Sequence, residues 1–324
     1  VGFDLDAGAD PGYSSRVRVI VTGGAGFIGS HVSAALLARG HQVLVIDDLS
    51  RGQRANVPAG AELAVVSIQA PEVEAVIRDW RPDAVHHHAA QIDLRHSVES
   101  PASDCDTNVG GTVRVAQAAV AAGAGSFIFA STGGAIYGEQ DYFPADEGHP
   151  IRADSPYGIA KRCGEIYLDY FSRKRGLRAV FLRYANVYGP RQDPKGEAGV
   201  IAIFVEKMLR GQTPVIFGDG RQTRDYVFVE DVVQANVRAL ETSTAAGPFN
   251  VGTGVETDVN TLAATLATLS GYKGEIRHEA AKPGEQRRSV LDGGRAQKEL
   301  GFQPGVGLEE GLHRTVEWFR AERA

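Results

Sequence analysis

The sequence predicts an α/β fold, a doubly wound parallel sheet with a smaller C-terminal α/β lobe. Three observations carry this. Short β-branched runs alternate with helical stretches through residues 17–131. Each crossover is about a dozen residues or longer, which parallel strands need and antiparallel hairpins do not. After about residue 190 the rhythm breaks into shorter pieces.

The runs VRVIVT (17–22), QVLVID (42–47), ELAVVSI (62–68), DAVHHHAA (83–90) and SFIFAS (126–131) read as strands, because β-branched and aromatic side chains fit a buried pleated surface. Between them the spacing predicts helices near 27–39, 71–79 and 103–122. With helices on both faces, ligands bind at the C-terminal strand ends. A helix over 154–175 and the run RAVFLRYANVYGP (178–190) follow. Beyond these come a helix near 198–210, strands VIF and YVFV, and helices near 230–241, 258–270 and 308–322. Residues 1–15 are polar, Gly-rich and aperiodic and read as a flexible arm. The remainder divides into a first domain over 16–180 and a second lobe mainly over 181–324, with the chain free to cross between them.

Composition narrows the function. With 324 residues, 43% hydrophobic and 23% charged, the chain is an ordinary globular protein, neither disordered nor collagen-like. A formal charge of -6 argues against a nucleic-acid partner and for small molecules. No window approaches 18 uncharged apolar residues and no secretory signal is readable, so the expected location is cytoplasmic, with no membrane partner. Cys105 and Cys163 lack any CxxC pairing, so both read as reduced thiols and no metal site is expected.

The first strand runs into TGGAGFIGSH (22–31), where Gly23, Gly26 and Gly29 open a helix. Gly23 permits a tight turn, Gly26 lets backbone N–H groups approach a pyrophosphate, and Gly29 lets helix pack on strand. The cofactor-binding set here is Gly23, Gly26, Phe27, Ile28 and Gly29. Asp47 follows 18 residues after Gly29 at the end of strand two. A carboxylate there accepts from an adenosine ribose 2′-OH and repels a 2′-phosphate, which favours NAD over NADP, although Arg51 nearby would suit the phosphate.

SPYGIAK (155–161) places Tyr157 and Lys161 one helical turn apart on one face. A phenol of pKa near 10 becomes a base at neutral pH only if its phenolate gains roughly 4 kcal/mol of stabilisation, which an ammonium and a nicotinamide cation supply. The fifth strand ends in FIFASTGGAIYG (127–138), where Thr132, or secondarily Ser131, offers a hydroxyl at the sheet edge.

With these motifs in hand, the chain resembles the extended short-chain dehydrogenases/reductases, in particular nucleotide-sugar 4-epimerases of the UDP-glucose (UDP-galactose) 4-epimerase type. The likeness covers about 17–320. It includes DDLSRG (47–52), HHHAAQ (86–91), NVGGT (108–112), LRYANVYGPRQ (182–192), TRDYVFVEDVV (223–233) and FNVGTG (249–254). The resemblance implies a Rossmann-like NAD-binding domain over 16–180 and a nucleotide-sugar lobe after it. It places Asp48, Ser50, Arg51, Gly52, Ser67, Ile68, His88, Ala89, Ala90 and Asn108 at NAD with Tyr157 and Lys161. It places Thr132, Gly133, Tyr157, Asn186, Arg191, Gly199, Val200, Phe217, Arg224, Lys282, Glu285 and Ser289 at the UDP-sugar. A homodimer is implied through apolar faces of 103–122 and 154–175, the latter with Ile166, Tyr167, Tyr170 and Phe171.

Departures from the pattern sharpen the reading. Ser67-Ile68 stands where relatives carry Asp-Ile at adenine. Lys282 and Glu285 replace an Arg and an Asp. Gly133 falls at the family's hydroxyl position when counted without a gap, so Thr132 must reach in through a bulge or water must substitute. Ser289 is small where a closed sugar pocket has a large aromatic, which suits N-acetylated or bulkier sugars unless Arg287 or Arg288 fills the space.

The implied chemistry is transient oxidation at C4. Tyr157 takes the 4-OH proton, hydride passes to NAD, and the keto sugar turns and is reduced on its other face. Sugar 4,6-dehydratases and UDP-glucuronate decarboxylases carry an acid after the strand-five hydroxyl, where this chain has Gly133-Gly134. UDP-glucuronate 4-epimerase is the alternative, with Arg191 or the Ser131-Thr132-Gly133 stretch receiving the carboxylate. A non-catalytic NAD-binding sensor or scaffold is the further alternative. His86-His87-His88 cannot form a metal triad, because strand alternation sends His87 to the opposite face.

Overall fold

In chain order the strands are β1 (Arg18–Thr22), β2 (Gln42–Asp47), β3 (Glu62–Val65), β4 (Ala84–His87), β5 (Ser126–Thr132), β6 (Arg178–Tyr184), β7 (Asn186–Tyr188), β8 (Val215–Phe217), β9 (Thr223–Phe228), β10 (Gly247–Val251), β11 (Glu256–Asp258), β12 (Arg277–Glu279) and β13 (Arg288–Ser289), the first five formed by the β-branched runs. The structure is a computed structural model describing residues 16–195, 199–281 and 286–323. The expected arm over 1–15 and the expected substrate residues Lys282 and Glu285 lie outside the described residues.

A seven-stranded sheet has the order β10-β6-β5-β4-β1-β2-β3, and every pairing in it is parallel. The order reverses between β1 and β4, the crevice where open parallel sheets bind ligands. Helices α1 (Phe27–Ala38), α2 (Glu72–Trp80), α3 (Leu94–Glu99), α4 (Pro101–Cys105), α5 (Thr112–Ala121), α6 (Gly133–Ile136), α7 (Pro156–Arg175), α8 (Val200–Leu209) and α9 (Val229–Glu241) supply the crossovers. Val19, Val21, Val43 and Val45 face a layer built on α1 and α9, while Ile20, Leu44, Ile46, Phe127 and Phe129 face α2, α5 and α7. Both faces are apolar, so the strands read as continuous hydrophobic runs. Full burial of each large side chain contributes about 1.5–3 kcal/mol.

The second lobe centres on β9, which pairs with β7, β11 and β13, while β8 pairs with β12. A third core around Phe204, Phe228, Leu262 and Phe319 joins α8 to α10 (Val259–Ser270) and α12 (Leu308–Ala321). From the C-terminal half, α9, β10 and α11 (Gly294–Leu300) return to the first sheet.

Three local differences matter. The helix read over 103–122 is broken by a π-helical segment, Asp106–Gly111, that holds Asn108. Single-turn π segments inside helices are frequent at functional sites. The β5–β6 register runs unbroken from Ser126↔Arg178 to Thr132↔Tyr184, so no bulge carries Thr132 inward. On α7, Ile166, Tyr167 and Tyr170 are exposed, but Phe171 is buried in the core and leaves the expected dimer face.

Candidate functional site

At the switch point the chain leaves β1 through Gly23, whose φ of +67° is the left-handed region. A Cβ on Gly23 would lie 2.6 Å from the Ala89 nitrogen, and one on Gly29 would lie 2.3 Å from the Gly23 oxygen. Both glycines are therefore required by close backbone approach. Helix α1 opens on Gly26 with no side-chain cap and no acid in its first turn. Its orphan N–H groups and dipole are left for an anion.

A cleft of about 570 Å³ extends from this turn, and its volume suits a cofactor-sized ligand. Its wall contains Gly23, Gly26, Phe27, Ile28 and Gly29; Asp47, Asp48, Ser50, Arg51 and Gly52; Ser67 and Ile68; His88, Ala89 and Ala90; and Ser131, Tyr157, Lys161, Arg191 and Gly199. Sequence reasoning missed Gln91, Tyr184, Gln192 and Asp193, which also line it.

Asp47 accepts one backbone bond on each oxygen, from Ala25 at 3.0 Å and Leu49 at 2.9 Å. Each carboxylate oxygen has a second lone pair, so a ribose hydroxyl still finds an acceptor. Arg51 is exposed and lies 3.8 Å from Asp93, which shares its charge.

Asn108 does not line the cleft. Its side chain accepts from the Gln91 N–H at 2.9 Å and donates to the Gln91 carbonyl at 2.9 Å, which holds the Ala89–Gln91 wall from behind. It also donates at 2.9 Å to Asp104 Oδ1, which accepts from Gln91 Nε2 at 3.0 Å. Asp104 Oδ2 is buried without a hydrogen-bond partner among the described residues. Burial pushes its pKa upward, against the bonds from Gln91 and Asn108. Its place four residues before Asn108 on a helix was the available signal.

Ser155 caps α7 by accepting from the Gly158 N–H at 3.1 Å, and Pro156 follows in the first turn, so the helix presents Tyr157 and Lys161 together. Lys161 is buried; its Nζ donates to the Ala130 carbonyl at 2.9 Å and stands 5.8 Å from the Tyr157 ring centre. Burial lowers the Lys161 pKa to about 8, against Asp104 and Glu165, which raise it. Burial and then Asp104 push Tyr157 above the usual phenol value. The chain by itself thus keeps Tyr157 protonated.

The two candidate hydroxyls point apart. Ser131 lines the cleft, but its proton goes to Glu165 at 2.7 Å. Thr132 is outside that wall and caps α6 by accepting from Ala135 at 3.2 Å. A Cβ on Gly134 would lie 4.0 Å from both the Thr132 hydroxyl and Asn186 Oδ1, so the two polar groups flank one position, and strand alternation turns Thr132 away from the face that Ser131 takes. A Cβ on Gly133 would strike Leu291 at 2.5 Å; the missing side chain makes room for that lobe.

Asn186, Val200, Phe217, Arg224 and Ser289 lie on the second lobe, outside the cleft wall. Arg224 on β9 pairs in register with the buried Ser289 on β13. Arg287 and Arg288 do not compete for that space, because they pair with Asp219 at 2.9 Å and Glu256 at 2.6 Å. His86 and His88 stack with ring centres 6.4 Å apart, whereas His87 sits between Thr22 and Thr112, as alternation requires.

Comparison with known proteins extends these observations. A sequence model of the NAD dependent epimerase/dehydratase family matches residues 19–252. The chain is 44% identical over 309 residues to a UDP-glucose 4-epimerase of Mycolicibacterium smegmatis, covering 94% of this chain and 99% of that protein. A crystal structure of the Thermotoga maritima UDP-glucose 4-epimerase with UDP-glucose superposes with a TM-score of 0.93 at 48% identity, covering 95% of this chain and 100% of that one. The Thermus thermophilus UDP-glucose 4-epimerase complexed with NAD gives 0.89 at 43% identity, with 94% and 99% covered.

Proposed function

The chain belongs to the NAD dependent epimerase/dehydratase family, and from that premise we propose that it inverts C4 of a UDP-hexose, interconverting UDP-glucose and UDP-galactose through a 4-keto sugar. The observation that carries the reading is that Tyr157 and Lys161 share one cleft wall with the uncapped N-terminus of α1.

The cleft fits NAD. The Gly23–Gly29 turn receives the pyrophosphate, Asp47 the adenosine ribose, and the Ala89–Gln91 wall, braced by Asn108, the inner half. When bound, NAD takes up a hydride from the sugar and returns it, and its positive charge favours the phenolate that the protein alone disfavours. Tyr157 receives the proton of the 4-OH and gives it back. Lys161, anchored on Ala130, holds positive charge beside it. Thr132, whose hydroxyl oxygen caps α6 and keeps its own proton to donate, orients the sugar oxygen. Arg224 and Ser289, paired in register, supply a diphosphate clamp and a small residue at the sugar. No acid stands at Gly133-Gly134 to eliminate water, so the cycle ends in inversion.

Ser289 is small but buried and outside the cleft wall, so UDP-N-acetylhexosamines as a second substrate class rest on the sequence resemblance. Of the two receivers expected for a UDP-glucuronate carboxylate, Arg191 is bonded to Ser30 on the cofactor side, which leaves the Ser131-Thr132-Gly133 stretch to that alternative. The exposed apolar face of Val98, Ile159, Ile166, Tyr167 and Tyr170 supports a homodimer. Among the described residues no helix is long and apolar enough to cross a membrane. The two free thiols suit a reducing, cytoplasmic setting.

Proton NMR of the purified protein with UDP-glucose, UDP-N-acetylglucosamine or UDP-glucuronate tests the proposal. UDP-galactose anomeric signals are expected in the first tube without added NAD. Silence in all three, persisting after NAD is added, would favour a different nucleotide sugar or a non-catalytic NAD-binding protein.

Asp104 gives a pH prediction. Its negative charge raises both Tyr157 and Lys161, so Asp104→Asn lowers both. The acid limb, where Tyr157 must lose its proton, and the alkaline limb, where Lys161 must keep its own, then both move to lower pH. Glu165 also raises Lys161 and stays in place, while His87 and His88 are kept neutral by burial. A kcat–pH profile reads the shift; an unmoved profile would reduce Asp104 to a packing role.

A further inference from the structure

We propose that Arg191 retains the cofactor: from the loop after β7 it closes over the first turn of α1 and clamps the NAD pyrophosphate. This rests on the NAD reading of the cleft. The family resemblance places Arg191 at the sugar; its surroundings here are those of the other ligand.

Arg191 lines the cleft with Gly26, Phe27 and Gly29, and its Nη1 donates to Ser30 Oγ at 3.1 Å. Ser30 gives its own proton to the Phe27 carbonyl at 3.0 Å, which leaves the hydroxyl oxygen as an acceptor aimed at the guanidinium. One N–H spent on Ser30 fixes the fork, and the others remain for phosphate oxygens. Arg191 has a φ of +68°, a conformation that a non-glycine residue keeps only when its surroundings hold it there. Its two chain neighbours are held in turn. His31 Nε2 donates to the Pro190 carbonyl at 2.9 Å, and Gln192 Nε2 donates to the Val187 carbonyl at 3.1 Å. Burial lowers the His31 pKa to about 4, so the ring is neutral at physiological pH and adds no charge to the site.

Charge points the same way. Among the described residues no carboxylate forms an ion pair with Arg191, and Glu322 acts on it only at longer range. A half-buried guanidinium therefore stands beside a helix N-terminus that carries neither cap nor acid. The two positive potentials repel unless an anion lies between them, and a pyrophosphate answers both. The loop bearing Arg191 leads into α8 of the second lobe, so the sugar-binding lobe itself holds the cofactor through the turnover.

The test is fluorescence titration with NADH, alongside a separate titration with UDP, on the wild type, Arg191→Met, Arg191→Lys and Arg191→Gly, each first stripped of co-purified dinucleotide. Expected is an NADH Kd raised about 10- to 100-fold in Arg191→Met, partly restored in Arg191→Lys, with UDP affinity moving less than twofold. Arg191→Gly relieves the backbone conformation and keeps the test available if the Met variant fails to fold; it too must lose NADH. An NADH Kd within twofold of wild type in folded variants would overturn the proposal, and weakened UDP binding with NADH unchanged would return Arg191 to the sugar. A wild type that binds no NADH would instead overturn the NAD reading beneath it.

Discussion

Tyr157→Phe is expected to remove epimerisation of UDP-glucose while NAD stays bound. The loss should be at least about 10³-fold in kcat, within the range for removing a positioned acid–base group. The substitution deletes one oxygen from a side chain whose ring lines the cleft, and it leaves Lys161 on Ala130 and the glycine turn untouched. NMR of the UDP-glucose to UDP-galactose ratio, together with the NAD content of the purified variant, reads both halves. Turnover within tenfold of wild type would remove Tyr157 as the base. Loss of NAD along with activity would show instead that the cleft had collapsed.

The largest stability effect is expected at Arg183→Met. Arg183 is 1% exposed and Glu165 is 0% exposed, and they meet through two bonds, Nε to Oε1 at 2.9 Å and Nη2 to Oε2 at 2.7 Å. Arg183 also donates to the Tyr137 hydroxyl at 2.9 Å, and Tyr137 donates to Asn250 at 2.8 Å. Removing the guanidinium leaves a buried carboxylate with the Ser131 hydroxyl and the half-exposed Arg162 as its remaining partners. Breaking such a pair costs about 3–5 kcal/mol, most of it the burden of the stranded charge. Urea unfolding measures it. The double variant Glu165→Leu with Arg183→Met should recover much of the loss, because two apolar groups leave no charge stranded. If the single and double variants were equally unstable, the pair would be no more than packing volume. The same chain runs from the Ser131 hydroxyl in the cleft to Asn250 on β10, so the single variant also loosens the cleft wall.

The glycine turn, the carboxylate after strand two and the Tyr157–Lys161 spacing were legible in the sequence because each is local. A turn with φ above zero, a strand end or one helical turn is set by residues a few positions apart. The parallel sheet was legible for the same reason, since short apolar runs separated by crossover-length helices leave few other arrangements. The short strands of the second lobe were less so: GPFNV (247–251) and ETD (256–258) are brief, partly polar, and become strands through partners distant in sequence.

What the sequence by itself determined was the fold class, the NAD turn and the residue types of an acid–base pair. The tertiary structure decided which of them meet. It put Ser131 onto Glu165 in the cleft, brought Asn108 and Asp104 against Gln91 behind the wall, and carried Arg191 across 161 positions to Ser30. None of these follows from spacing, because each depends on which buried polar groups find partners once the layers close, and that pairing exists only in three dimensions.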